Sequence, residues 1–220
     1  MLDYIDDYCE RISFGLWGEP FNTLSNLGFI IAAVMLIRVF RNPDNGWSGK
    51  QLDIWTLILL MFAIGIGSGL WHIYAQRWAL HADAIPILVF INVFLLVSFI
   101  RVLHFSIWKT LLLFVAYHFF NITLQSVLPK DFANGSIFYL PTWASLLGIT
   151  LALWYRKSAV RTPFAIATVL FCVSLLFRTI DNFACSVFPI GTHFVWHLIN
   201  GFMLYQLMLG LLKSRQPRIL

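Results

Sequence analysis

Charge is distributed along this chain in a way that leaves few folds open. Seven stretches contain no Asp, Glu, Lys or Arg: 20–37, 54–76, 84–100, 110–129, 132–155, 162–177 and 182–212. The uncharged gaps elsewhere are far shorter. A helix needs about 17–25 mostly apolar residues to cross a hydrocarbon core. Barrel strands would instead alternate polar and apolar residues over about 10 positions. The pattern predicts an all-α polytopic membrane protein, a seven-transmembrane-helix bundle forming a single domain over 1–220. Helices are expected near 21–40, 53–75, 83–101, 107–129, 135–156, 162–181 and 191–212, behind an acidic tail over 1–20. Composition closes off the alternatives. Charged residues make up 11% of the 220 and hydrophobic residues 60%, against about 25% charged in a typical soluble domain. A soluble domain of this size cannot hide so much apolar surface, and a disordered chain would not carry it.

Lys and Arg fall unevenly on the two sides that alternating loops define. Arg11, Arg77, Lys130 and Arg178 fall on the side of the N-terminal tail. Arg38, Arg41, Lys50, Arg101, Lys109, Arg156, Lys157, Arg161, Lys213, Arg215 and Arg218 fall on the other. Basic loops stay cytoplasmic, so the N-terminus is expected outside and the C-terminus in the cytoplasm. The formal net charge of +5 then reflects topology, and no basic stripe asks for a nucleic-acid partner. The start of the chain, with Asp3, Asp6 and Asp7, is acidic where a signal peptide would be basic. The first helix is therefore expected to insert as its own signal.

Polar groups inside a membrane helix cost free energy unless they are paired or used. Here they cluster. Ser68 and His72 form S-x-x-x-H near the end of the second helix, and His193 and His197 form H-x-x-x-H near the start of the seventh. Residues four apart share a helix face, so each pair points at one spot. Asp83 is expected to open the third helix, on the same outer side. Three His ligands suit a catalytic zinc, which keeps a fourth position for water and lowers its pKa to roughly 7. A carboxylate such as Asp83 can move the proton, and a hydroxyl such as Ser68 can donate to a developing oxyanion. Each element has a plainer reading. A histidine pair can be packing, Ser68 can bond its own backbone, and Asp83 can be a helix N-cap. His81 is a substitute ligand or neighbour of the site, while His104 and His118 read as structural or interfacial histidines near the fourth helix. Their conjunction at one depth favours a site for metal-assisted hydrolysis of an amide or ester.

The motifs resemble the alkaline ceramidase family, within a superfamily of seven-helix membrane hydrolases that includes the adiponectin receptors. The residues that carry the resemblance run from Glu19-Pro20-Phe21-Asn22-Thr23-Leu24-Ser25-Asn26 through Ser68-Gly69-Leu70-Trp71-His72 and Asp83. They continue with Ile180-Asp181-Asn182, Cys185 and His193-Phe194-Val195-Trp196-His197. The resemblance implies that His72, His193 and His197 bind zinc, that Ser68 and Asp83 are catalytic, and that the substrate is the amide of a ceramide-like membrane lipid. It also implies calcium in the tail, held by Asp7, Glu10 and Glu19, with the Tyr8 carbonyl as a further ligand. The pattern departs at Ile12, where the family carries asparagine, which removes one calcium ligand and leaves a solvated acidic tail as the other reading.

Of the three cysteines, Cys9 and Cys185 both lie on the outer side and are expected to form a disulfide. Cys172, within the sixth helix, is expected to be apolar filling. Two other functions remain open on the sequence alone. One is hydrolysis of another acyl lipid, including remodelling of a lipid anchor. The other is a non-catalytic seven-helix receptor with zinc as a structural bolt. The active site is expected toward the outer side, which is periplasmic, extracellular or lumenal.

Overall fold

The structure, a computed structural model, describes residues 4–15, 17–42, 51–129 and 131–214. Lys50, Lys130, Arg215 and Arg218, which entered the charge count, lie outside the described residues. Among the described residues, seven helices are long and apolar enough to cross a membrane: α1 Pro20–Arg41, α2 Leu52–Tyr74, α3 Arg77–Val102, α4 Ile107–Val127, α5 Phe132–Tyr155, α6 Arg161–Ala184 and α7 His193–Lys213. Tyr4 and Gln76 form an isolated antiparallel bridge. No strand occurs among the described residues.

The bundle buries α7 most deeply, against α1 and α6, while α2 packs along α3. By contrast, α4 buries only Thr110 and Tyr117. Large apolar side chains such as Leu59, Phe119, Val169 and Phe183 cover the outside, which suits a lipid-facing surface. Lipid tails are as apolar as the helices, so association depends on close packing and is helped by small residues. Gly67 is such a residue. A Cβ there would lie 2.0 Å from the Ala82 carbonyl oxygen. Backbone meets backbone at this point, and Ser68 and Asp83 are the next residues on the two helices.

Some boundaries differ from expectation, for one physical reason. The third helix does not open at Asp83. It begins at Arg77, after Gln76 as an extended N-cap, so Asp83 lies in its second turn and is not a cap. Before it, Ala75 adopts a left-handed conformation (φ 48°), and its N–H donates to the Trp71 carbonyl at 2.8 Å. Likewise α6 runs through Arg178 and Asp181 to Ala184, where a loop was expected from residue 182. A charge-free run measures the part of a helix that crosses hydrocarbon, and helices carry charges in the turns beyond it. Cys172 is exposed on the bundle exterior and fills no core position.

The tail folds back over one end of the bundle. The Ile5 N–H donates to the Ala75 carbonyl at 2.9 Å, in the turn between α2 and α3. Cys9 and Cys185 are joined by a disulfide, with Cα atoms 5.3 Å apart. The tail is thereby held to the end where α2 stops and where α3 and α7 start.

Candidate metal centre

Helical spacing brings the three histidines together as expected. His72 on α2 and His193 and His197 on α7 are buried, and one ring nitrogen of each lies within 4.8 Å of the others. Their outer hydrogen bonds set the tautomers. His72 Nδ1 meets the Glu19 carboxylate oxygen Oε2 at 2.5 Å, and a carboxylate accepts, so Nδ1 carries the proton. The Ser25 hydroxyl donates to the Asn22 carbonyl at 2.9 Å and meets His197 Nδ1 at 2.8 Å. Its own proton is used, so His197 Nδ1 donates to it. Both Nε2 atoms are then bare lone pairs, and they face each other at 3.3 Å. Two acceptors hold that separation when a cation lies between them. A tetrahedral zinc with Zn–N bonds of 2.0–2.1 Å spaces its nitrogens about 3.3–3.4 Å apart. His193 Nδ1 is buried without a hydrogen-bond partner. The residues present fit a metal ion, and among the described residues no Cys, Asp, Glu or further His joins the group.

The start of α7 is set by Asp181, which sequence reasoning used only as part of a motif. Its carboxylate accepts the N–H groups of Thr192 (2.6 Å), His193 (2.9 Å) and Cys9 (3.1 Å). One buried acid thus caps the helix that carries two ligands and also ties down the tail. Gly191, at φ +62°, makes the approach feasible, since a Cβ there would lie 2.3 Å from Asp181 Oδ1.

The three tail acids are arranged differently from the calcium expectation. Asp7 is exposed. Glu10 is buried, and its two oxygens accept the backbone N–H groups of Phe21 (2.6 Å) and Asn22 (2.7 Å) at the start of α1. Glu19 is buried between His72, the Asn22 amide at 2.8 Å, and the Arg11 guanidinium. Burial raises the Glu10 carboxyl above its ordinary range, and the two N–H bonds work against this. Burial pushes Glu19 up to about 7, opposed by Asn22 and Arg11. The Tyr8 carbonyl accepts the Arg11 N–H at 3.3 Å. Glu10 and Glu19 are thus engaged by hydrogen bonds and a guanidinium, while Asp7 stands apart at the surface.

Beside the histidines lies an apolar cavity of about 180 Å³, walled by Phe and Leu side chains and reached by Ser68, Asp83, Arg178, His193 and His197. The Ser68 hydroxyl is within hydrogen-bonding reach of Asp83, while Asp83 Oδ1 is buried and free of partners. Two residues here were missed as site residues. Arg178, counted from sequence as a loop charge, faces the cavity from α6, bonds the Tyr8 hydroxyl, and lies over the rings of Tyr139 (5.7 Å) and Trp196 (5.5 Å). The Tyr8 ring stacks on His193 with centroids 4.0 Å apart, covering the cluster from the tail side. No charge pattern in the sequence marked Arg178 out, since Asp181 lies one turn further along the same helix. His81 is exposed and takes no part. His118 bonds Asn92 on α3 at 2.9 Å, a structural role as expected.

Against this geometry, the family model named Ceramidase matches residues 6–216, nearly the whole chain. The chain belongs to the Ceramidase family. A search of curated proteins finds no match. Membership implies a hydrolase acting on a lipid amide. The chain places its buried histidine triad beside an apolar cavity within a bundle of helices long and apolar enough to cross a membrane.

Proposed function

We propose that this ceramidase is a zinc-dependent amidohydrolase that cleaves ceramide-like N-acyl lipids into a fatty acid and a sphingoid base. The facing Nε2 lone pairs of His72 and His197, at 3.3 Å beside a Phe-walled cavity, carry this reading. The absence of a fourth His, Cys, Asp or Glu from the group, among the described residues, supports an open catalytic position over a closed structural bolt. Zinc bound there would supply Lewis-acid activation of water and of the acyl carbonyl.

The chain's own residues divide the remaining work. The apolar wall takes the acyl chain and keeps bulk water out. Ser68 is placed to orient Asp83 and to donate to the carbonyl oxygen as negative charge grows there. Asp83 Oδ1, with no partner of its own, accepts a proton from the attacking water. It returns that proton to the amine nitrogen as the C–N bond breaks, and so ends as it began. The cationic Arg178 faces the same cavity as Asp83. By the distribution of basic loops, this end of the bundle faces the periplasm, the extracellular space or an organelle lumen.

One experiment tests the assignment: metal analysis of the purified protein combined with hydrolysis of a ceramide panel. Wild-type protein is expected to hold one zinc and release fatty acid. His193→Ala should lose both. Asp83→Asn should keep the metal and lose about 10²–10⁴-fold in turnover. Full hydrolysis by metal-free protein would end the account.

A further inference from the structure

We propose that Arg11 is a positioning residue for the metal centre, an internal cation that holds Glu19 against His72 and makes a divalent ion in the tail unnecessary. The inference rests on the reading of His72 as a metal ligand. Its observations are separate from those that support that reading.

Arg11 and Glu19 form an ion pair whose side chains are 2% and 0% exposed. The pairing uses Glu19 Oε1. The other oxygen, Oε2, accepts from His72 Nδ1 and from the Asn22 amide. One carboxylate therefore divides its work, with a cation on one oxygen and the ligand's imidazole on the other. The same guanidinium reaches His72 a second time, donating through Nη2 to its backbone carbonyl at 3.1 Å. His72 is thus gripped at ring and backbone by a closed circuit through Arg11 and Glu19. Both contacts run through Nη2, whose N–H directions the planar guanidinium fixes.

The charge balance shows why the cation matters. A buried carboxylate without a counter-charge is costly. An outer partner such as Glu19 fixes the orientation of a metal-ligating imidazole and raises its basicity. Among the described residues of the tail, Arg11 is the only Lys or Arg. Ile12, beside Arg11, is 85% exposed and apolar. Glu10 has given both oxygens to the first N–H groups of α1. The tail that presents Arg11 is itself fixed, two residues earlier, by the Cys9 disulfide and the Cys9 N–H bond to Asp181. The guanidinium therefore arrives pre-placed, and the acid it neutralises is already full.

The test measures zinc affinity by competition with a chromophoric chelator, in micelles, for wild type, Arg11→Met and Arg11→Lys. The same proteins are melted in millimolar calcium and in EGTA. Arg11→Met is expected to release zinc about 10–100-fold more readily, the range for loss of an outer partner of a metal ligand. Arg11→Lys should fall between, since it restores the charge without the fixed guanidinium geometry. Wild-type melting temperature and zinc retention should be the same in calcium and EGTA. Calcium that raises either one in wild type overturns the proposal, even if Arg11→Met cannot be purified. Equal zinc affinity in wild type and Arg11→Lys or Arg11→Met also overturns it, leaving the metal reading intact. Wild-type protein that holds no zinc sinks the metal reading and this proposal with it.

Discussion

Gly67→Ala is expected to slow catalysis about 10²-fold while leaving the metal in place. The added methyl would sit 2.0 Å from the Ala82 carbonyl oxygen and 2.7 Å from its carbonyl carbon. Real Cβ atoms essentially never come within 3.0 Å of such neighbours, so α2 and α3 must part by about 1 Å. Both obstacles are backbone atoms, and no side-chain rotation can absorb the move. The three histidines stand on α2 and α7, whereas Asp83 stands on α3 beside the point of collision. The displacement therefore falls between the histidine triad and Asp83, the proposed proton carrier. A misplacement of about 1 Å can cost about 10²-fold in rate, or about 2.7 kcal/mol of barrier. The assay is zinc content and fatty-acid release measured on the same preparation. Gly69→Ala is the control, because a Cβ at Gly69 meets nothing within 4 Å, and it should behave as wild type. Wild-type turnover by Gly67→Ala, or equal damage from Gly69→Ala, would refute the reasoning.

Two further outcomes follow from the clamp over the site. Asp181→Ala removes the acceptor for three backbone N–H groups, each of which costs about 1–3 kcal/mol if left buried and unpaired. Its melting temperature in micelles should fall clearly below that of wild type, and Asp181→Asn, which keeps a carbonyl oxygen, should fall less. Cys9→Ser or Cys185→Ser should lose about 2–5 kcal/mol of stability with helix content unchanged by circular dichroism. An unchanged melting temperature, or free thiols at both positions in the non-reduced protein, would overturn that.

The helices and the ligand triad were legible in the sequence because both obey local rules. The hydrocarbon core imposes a minimum apolar run, and a helix places residues four apart on one face. The start of α3 was missed because Arg77 and Asp83 look like boundaries when charge is counted. They are in fact turns of a helix that extends beyond the apolar run. The roles of Arg11, Glu19, Arg178 and Asp181 were hidden for a different reason. An acid in an acidic tail has the same sequence signature whether it binds a cation, caps a helix or holds a histidine. Its partner decides, and the partners here are far away in sequence: Glu19 meets a ring 53 residues on, and Cys9 meets an acid 172 residues on. Tyr8 illustrates the same limit. Resemblance assigned its carbonyl to calcium, whereas its ring lies on His193.

The disulfide between Cys9 and Cys185, 176 residues apart, also sets an order of events in the life of the chain. A nascent chain halted before α7 owns one of the three imidazoles, an Arg11 with its Glu19, and a thiol with nothing to close on. Asp181 waits without the helix start it caps. The ligand cage, the cover and the clamp come into being together, once the final helix has entered the membrane. Metal loading is thus a closing step of biogenesis, and a truncated product would be blank with respect to metal, harmless to the lipids around it until the chain is finished.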